Sequence, residues 1–224
     1  MIKIGTTGIG QVKLGTNKVT SIFSGLENVF YNIPARFRQV EYIYANRLSY
    51  IDTSLLPNQD TTAEINLKIN SLSGNFIGVF GTETPRFSIY FNNLVTSSPK
   101  ARFDYNNTLT TDVSAISKND WHCFKIAKNK FYVDGIEIGE ANYEPFTVAR
   151  SLYLFTTHIN NGAYQTPLID VFVGQFKIFD NKTLILHYIP AFDTVTSLYG
   201  MYDLISDSFK ASYTNNPFLG PNVV

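Results

Sequence analysis

Very few residues in this chain stand close enough together to do covalent chemistry. Trp121-His122-Cys123 puts an imidazole beside the only thiol, but a cysteine nucleophile needs its base within hydrogen-bond reach. The residues around it alternate as a strand does, and adjacent strand residues point to opposite faces, so His122 does not reach Cys123. His158 and His187 are too dispersed from His122 to give a metal-ligand spacing. Acidic residues are scattered singly, whereas a retaining glycosidase needs two carboxylates about 5 Å apart. No catalytic residue and no metal site are assigned.

Sugar recognition asks for less. It needs aromatic faces for the apolar side of a pyranose, with amides or carboxylates for its hydroxyls. Two runs have that composition. The first is a polar loop spanning 156–166 with His158, Asn160, Asn161, Tyr164 and Gln165; the second is Tyr105, Asn106 and Asn107. Turn chemistry accounts for both runs equally well. Asp104 with Asn106 and Asn107 is also the one cluster of oxygens that a calcium ion could use. No other cofactor is expected.

These residues must be held by strands. Residues 121–138, WHCFKIAKNKFYVDGIEI, read as a tight antiparallel meander. Phe124 and Ile126 share a face, Lys128-Asn129-Lys130 turns the chain, and Phe131 and Val133 return it. Asp134-Gly135 turns it again, because a type I′ turn needs positive φ at both central positions. The stretch 62–69 alternates Ala63, Ile65, Leu67 and Ile69 inward with Thr62, Glu64, Asn66 and Lys68 outward. Further strands are expected at 41–44, 48–53, 76–80, 86–91 with Phe87, Ile89 and Phe91 on one face, 101–105, and 152–155. A hairpin over 171–179 and 184–189 turns at Asp180-Asn181-Lys182, and strands at 199–204 and 208–212 follow. That makes about fourteen strands and no convincing helix. The expected fold is an all-β, two-sheet antiparallel jelly roll.

Composition agrees. Charged residues are only 16% of the chain, aromatic residues reach 15%, and 18 basic residues balance 18 acidic ones. An uncharged chain has no pull toward phosphate backbones, so nucleic-acid binding is not expected. No apolar run approaches the roughly 20 residues of a membrane span. One cysteine excludes an internal disulfide. The opening MIKIGTTGIGQVK lacks the basic-then-apolar pattern of a secretory signal, so synthesis in a cytoplasm is expected.

The first thirty residues repeat with a period of ten. Gly5, Gly15 and Gly25 align, as do Ile2, Val12 and Ile22, and Lys3-Ile4-Gly5-Thr6 returns as Lys13-Leu14-Gly15-Thr16. Each unit reads as strand, Gly-led turn, strand. So few strands bury little surface alone, and their edges invite another chain. Residues 1–33 are therefore expected to be an attachment or oligomerisation segment. Pro34 marks the boundary to a domain over residues 36–220.

Several segments together resemble the concanavalin A-like, laminin G-like jelly rolls of bacteriophage structural proteins. They are EYIYANRLSYIDTSLLPNQDTTAEI (41–65), ARFDYN (101–106), WHCFKIAKNKFYVDG (121–135), SLYLF (151–155), FKIFDNKTL (176–184) and YGMYDLISDSF (199–209). The chain departs from the family at Ser54, often Gly there, and at Ala191, often Cys. The resemblance implies a virion protein (fibre, tail, baseplate or capsid decoration) with a lectin-like module for a host-surface glycan. It also implies other virion proteins as partners and a homo-oligomer, a trimer by analogy. The alternative is a structural decoration protein without ligand. Hydrolysis is disfavoured, since the fold's glucan hydrolases carry a Glu-x-Asp-x-x-Glu strand that is missing here.

Overall fold

The computed structural model describes residues 13–14, 17–18, 21–24, 27–46, 48–69, 76–83, 85–92, 100–106, 108–109, 117, 119–160, 162–163 and 171–223. Two hairpins come first. β1 (Lys13–Leu14) pairs with β2 (Asn17–Lys18), and β3 (Ser21–Ser24) with β4 (Glu27–Tyr31). Gly15 and Gly25, like the first repeat, lie outside the described residues.

Next come β5 (Phe37–Gln39), β6 (Ile51–Asp52), β7 (Thr61–Ile69), β8 (Phe76–Thr82), β9 (Phe87–Asn92), β10 (Lys100–Tyr105) and β11 (Thr108–Leu109). The meander supplies β12 (Trp121–Ala127), β13 (Lys130–Val133) and β14 (Ile136–Glu140). Short strands β15 (Tyr153–Leu154), β16 (Thr157–Ile159) and β17 (Gly162–Ala163) follow. The chain then forms β18 (Val171–Asp180), β19 (Thr183–Asp193), β20 (Leu198–Asp203) and β21 (Ser208–Lys210). No helix occurs among the described residues.

Two sheets pack face to face. The larger runs β14-β13-β12-β7-β18-β19-β20-β21, with β5 beside the far half of β19; the smaller runs β11-β10-β9-β8-β15-β6, with the β16–β17 hairpin joined to β8. Alternation decides what lies between them. Ala63, Ile65, Leu67 and Ile69 of β7 are fully buried, as are Phe124, Ile126 and Phe131 of the meander and Phe87, Ile89 and Phe91 of β9. Val133 is half-buried at the rim. Rings from the two sheets interlock: Phe103 meets Phe131 at 5.2 Å, Phe91 meets Phe124 edge-on at 5.4 Å, and Phe80 meets Phe176 at 5.3 Å. Both expected tight turns have the left-handed backbone that this geometry needs, at Asp134 (φ 51°) with Gly135 (φ 79°) and at Asn181 (φ 43°) with Lys182 (φ 74°).

Three expectations change. Residues 41–44 form no strand; Ile43 and Tyr44 make single bridges to Val173 and Leu219. Only Ile51 and Asp52 of 48–53 join a ladder. The expected loop over 156–166 begins as the β16–β17 hairpin. Such two- and three-residue strands also lift the count above the expected fourteen.

The segment entering the sandwich crosses the outer face of the larger sheet. Tyr31, Ile33 and Phe37 join Leu204 and Phe209 in covering Ile189, Ala191 and Tyr202, so residues on both sides of Pro34 share one apolar cluster. Arg36 fixes it with two hydrogen bonds to the Asp193 carboxylate, 2.9 and 2.7 Å. The Tyr31 hydroxyl donates to Oε1 of Gln175 at 3.1 Å, and His187 Nε2 stands 3.1 Å from the same oxygen. Burial, aided by the charge of Lys177, pushes the His187 imidazole down to about 4, so it is neutral near pH 7 and donates through Nε2–H.

Candidate functional site

On β9 and β10 the inward set is Phe87, Ile89 and Phe91 with Ala101, Phe103 and Tyr105. Alternation therefore sends Ser88, Tyr90, Arg102 and Asp104 to the outer side of the smaller sheet. Register sets them in rows: Gly81, Ser88 and Asp104 are cross-strand partners, as are Gly78, Tyr90 and Arg102. The Ser88 hydroxyl donates to Asp104 Oδ2 at 3.0 Å, and the Arg102 guanidinium lies 5.3 Å over the Tyr90 ring.

Thr157 closes the group from above. A Cβ at Gly78 would stand 2.6 Å from Thr157 Oγ1, and one at Gly81 2.4 Å from Ser88 Cβ and 3.2 Å from Thr157 Cγ2. Glycine is what lets the segment at Thr157 approach this closely.

The patch is polar yet closed. Asp104 is 1% exposed and Thr157 5%. Asp104 Oδ1, Arg102 Nε and Thr157 Oγ1 are buried without a hydrogen-bond partner. Each such atom costs about 1–3 kcal/mol of stability, a cost the closed patch carries. Burial pushes the Asp104 carboxyl up to about 6, against the opposing pull of the Ser88 hydrogen bond and the Arg86 and Arg102 charges. Near neutral pH it is an acceptor, flanked by guanidinium donors.

Beside this group runs an aromatic stack. Tyr50 and Tyr153 alternate with the inward Ile51 and Leu154, yet both are themselves buried, 9% and 6% exposed, inside a stack whose outer members are the exposed Tyr213 and the half-buried His158. Tyr213 meets Tyr50 at 5.4 Å, Tyr50 meets Tyr153 at 4.7 Å, and His158 lies flat on Tyr153 at 3.9 Å and 15°. His158 Nδ1 is fixed 3.0 Å from the Ser151 carbonyl oxygen.

Of the sequence-derived candidates, His158 belongs to this stack. Asn160 is exposed in the β16–β17 turn, and Asn106 is half-buried at the β10–β11 turn with φ 46°. Tyr105 is a correction: it is fully buried, its ring edge-on to Phe146 at 5.1 Å and its hydroxyl donating to the Gln59 carbonyl. It shares the inward parity of Ala101 and Phe103, so it is core and not a sugar platform. Asn107, Asn161 and Tyr164 lie outside the described residues.

The two predicted runs nevertheless share one end of the smaller sheet. β16 runs parallel to β8 with His158 beside Thr82, whose row continues through Phe87 to Tyr105. Three strand spacings separate them, about 14 Å. Sequence reasoning missed Ser88, Arg102, Thr157, Tyr50 and Tyr153 as site residues, because strand parity and register define them. Of the calcium candidate, Asn107 lies outside the described residues, and Asp104 is under the opposing influence of the Arg86 and Arg102 charges.

A second constellation has the residue types of a hydrolase. His122 Nδ1 is 2.7 Å from Asp134 Oδ2, and Nε2 is 3.0 Å from Ser117 Oγ. A serine nucleophile must give its proton to the imidazole. Here the Ser117 hydroxyl donates to Asp120 at 2.8 Å, and Nε2 also faces the Ser117 carbonyl oxygen at 3.2 Å. Both ring nitrogens thus point at acceptors. The cluster latches the Asp134-Gly135 turn, whose other carboxylate oxygen accepts the Cys123 N–H at 2.8 Å.

No family model matches the sequence, and no curated protein matches it. Some solved structures are similar to the chain at low identity and low TM-score. Tailspike protein 2 of the Escherichia coli O157:H7 bacteriophage CAB120 is 11% identical over 70% of this chain, with a TM-score of 0.43. The match spans 27% of that tailspike's length. Domains LG4-5 of the mouse laminin alpha1 chain are 15% identical over 77% of this chain and 48% of theirs, TM-score 0.38. The Caenorhabditis elegans galectin LEC-6 is 10% identical over 62% of this chain and 96% of its own, TM-score 0.33.

Proposed function

We propose that this β-sandwich is a carbohydrate-binding module, displayed on a phage particle to attach it to the host surface. The observation that carries the binding half is the grouping of unpartnered Asp104, Arg102 and Thr157 atoms beside the Tyr50–Tyr153–His158 stack. The accessible members of the group are the half-buried Arg102 and His158 and the exposed Tyr213, which offer donors and a ring face to a saccharide, whereas Asp104, Thr157, Tyr50 and Tyr153 are buried in the free protein. Asp104 is hydrogen-bonded to a serine and influenced by two arginines, an arrangement for holding hydroxyls rather than for splitting a glycosidic bond. Asn160 in the β16–β17 turn and Asn106 at the β10–β11 turn stand at the same end of the sheet, and Asn107, Asn161 and Tyr164 remain sequence-derived candidates.

The virion half rests on the six sequence segments that resemble phage jelly rolls. In this reading residues 1–33 join the module to the particle or to sister copies. Several weak sites on one homo-oligomer, a trimer by the family's analogy, then gain avidity without new contacts.

The test is a glycan array and host-cell adsorption with the full chain and with Asp104→Asn. The native chain should bind, and the variant should lose binding without losing melting temperature. Full binding by the variant removes this face from consideration. Failure of the native chain in both assays leaves a structural plate without ligand.

A further inference from the structure

The outer face of the larger sheet holds a different set of groups. Trp121, Lys68 and Phe172 are cross-strand partners on β12, β7 and β18. Trp121 does not stand up from the sheet. Its Cζ3 lies 3.2 Å from where a Cβ of Gly174 would be, two strands away, with Asn66 Cβ 3.5 Å from the same point. The indole therefore lies across β7 toward β18, and the residue is 37% exposed. Gly174 sits within the bulge between Val173 and Phe176, which makes room for the ring.

The aromatic surface continues. Tyr42 stacks on Phe172 at 4.2 Å and 17°, with Tyr44 5.4 Å from the same ring, and the Lys68 ammonium lies 5.9 Å from its centre. Charge on this face is mostly paired. Glu64 is shared between Lys125 at 3.3 Å and Lys177 at 3.7 Å, and further along the sheet Lys130 pairs with Glu137 at 2.9 Å. Lys68, beside the rings, has no carboxylate partner among the described residues, and Glu41 lies at the border beside Tyr42. Flat aromatic rings, amide Asn66 and an unpaired ammonium on a flat sheet fit one ligand class, a saccharide chain whose rings carry carboxylates.

We propose that this face is a second, separate binding surface, for an acidic polysaccharide, with Trp121 as the stacking platform, Tyr42 as the next ring and Lys68 pairing a uronate carboxylate. It lies on the opposite side of the sandwich from Asp104 and does not depend on that site. A chain binding one glycan on each face could bridge two strands of a surface polymer.

Trp121 is the only tryptophan, so its fluorescence reports directly on ligand stacking. The full chain is titrated with hexagalacturonate and, separately, with neutral cellohexaose. The uronate chain should shift the emission, and cellohexaose should bind roughly tenfold or more weakly. Raising ionic strength from about 0.1 to about 1 M, which shortens the screening length from about 10 to about 3 Å, should weaken uronate binding severalfold. Lys68→Glu should weaken it by more than about tenfold with the melting temperature retained. Trp121→Ala, followed by calorimetry, should lose roughly fivefold to tenfold. An unmoved emission spectrum, an equal response to cellohexaose, or a Lys68→Glu chain that binds as before overturns the proposal. Asp104→Asn should leave all of these readings unchanged, which separates this surface from the other one.

Discussion

The two outer faces of this sandwich solve opposite problems with the same strand geometry. On the smaller sheet, Asp104 and Thr157 are buried, and with Arg102 they leave three polar atoms without partners. On the larger sheet the charged groups are half-exposed, Glu64 paired with Lys125 and Lys177 and Lys68 without a carboxylate partner among the described residues. Buried polar groups cost free energy unless satisfied, whereas exposed ion pairs contribute little either way. The first face thus carries an unmet polar cost in a closed patch. The second presents rings and charge to solvent at almost no cost, and its selectivity must come from long-range charge and flat stacking.

The core between the faces supports both equally, and the largest effect is expected there. Phe124 is fully buried and meets Phe91 and Phe103 of the opposite sheet. Phe124→Ala should cost about 3–5 kcal/mol in a denaturant titration. It should weaken both faces together, if the folded fraction falls. A loss below about 0.5 kcal/mol would mean that the register of β12 on β7 is wrong.

The next prediction separates the faces by pH. Asp104 has its carboxyl raised from the ordinary 3.8 to about 6 in the folded chain. Between those values Asp104 binds more protons in the folded state than in the unfolded one, so its contribution to stability falls as pH rises from about 4 to about 6, then levels off. The full shift corresponds to at most about 3 kcal/mol. Asp104→Asn should remove that slope and stabilise the protein by about 1–3 kcal/mol at pH 7. Equal slopes in the two proteins would show that the carboxyl is solvated and the patch open. His187, on the larger sheet, is shifted the opposite way, from 6.5 to about 4, so its contribution rises with pH over that window, and the Asp104 slope is read as the difference between the native chain and Asp104→Asn.

How far these features could be read beforehand follows from their geometry. Period-two alternation fixed β7, β9 and the meander, and Asp134-Gly135 fixed a turn, because those signals are local. Tyr105 was misread: beside Asn106 it has the look of a sugar site, yet its parity with Ala101 and Phe103 already pointed inward. The Asp104–Ser88 bond, His158 on Tyr153 and Trp121 over Gly174 were invisible for another reason. They depend on cross-strand register, on the reversal between β15 and β16, and on a bulge in β18, and none of these has a local sequence signal. Asn161 and Tyr164 still stand as sequence-derived candidates for the loop.

A smaller effect concerns the segment that borders the aromatic face. A chain beginning at Ala35 loses Tyr31 and Ile33, which are half-exposed where they cover Ile189, Ala191 and Tyr202. The cost should be about 1–2 kcal/mol by thermal or urea unfolding, since only part of each side chain is buried. The same truncation should leave Asp104-dependent glycan binding at single-site strength and abolish incorporation into particles. Normal incorporation would show that residues 1–33 are ordinary sheet covering and not an attachment segment.

The smallest effect on stability should carry an instructive effect on binding. Glu64 is the carboxylate between Lys125 and Lys177, and both of its ion pairs are partly exposed. Replacing it by glutamine should therefore change stability by less than about 1 kcal/mol. The same change leaves Lys68, Lys125 and Lys177 with no carboxylate among them, which raises the positive potential along the row. Hexagalacturonate should then bind more tightly, with a steeper loss on adding salt, while cellohexaose and the Asp104 face stay as they were. Glu64→Gln is thus a gain-of-binding test, which partial unfolding cannot imitate. Weaker uronate binding in this variant would mean that Glu64 orients the lysines rather than opposing the ligand, and the charge account of this face would have to be reversed.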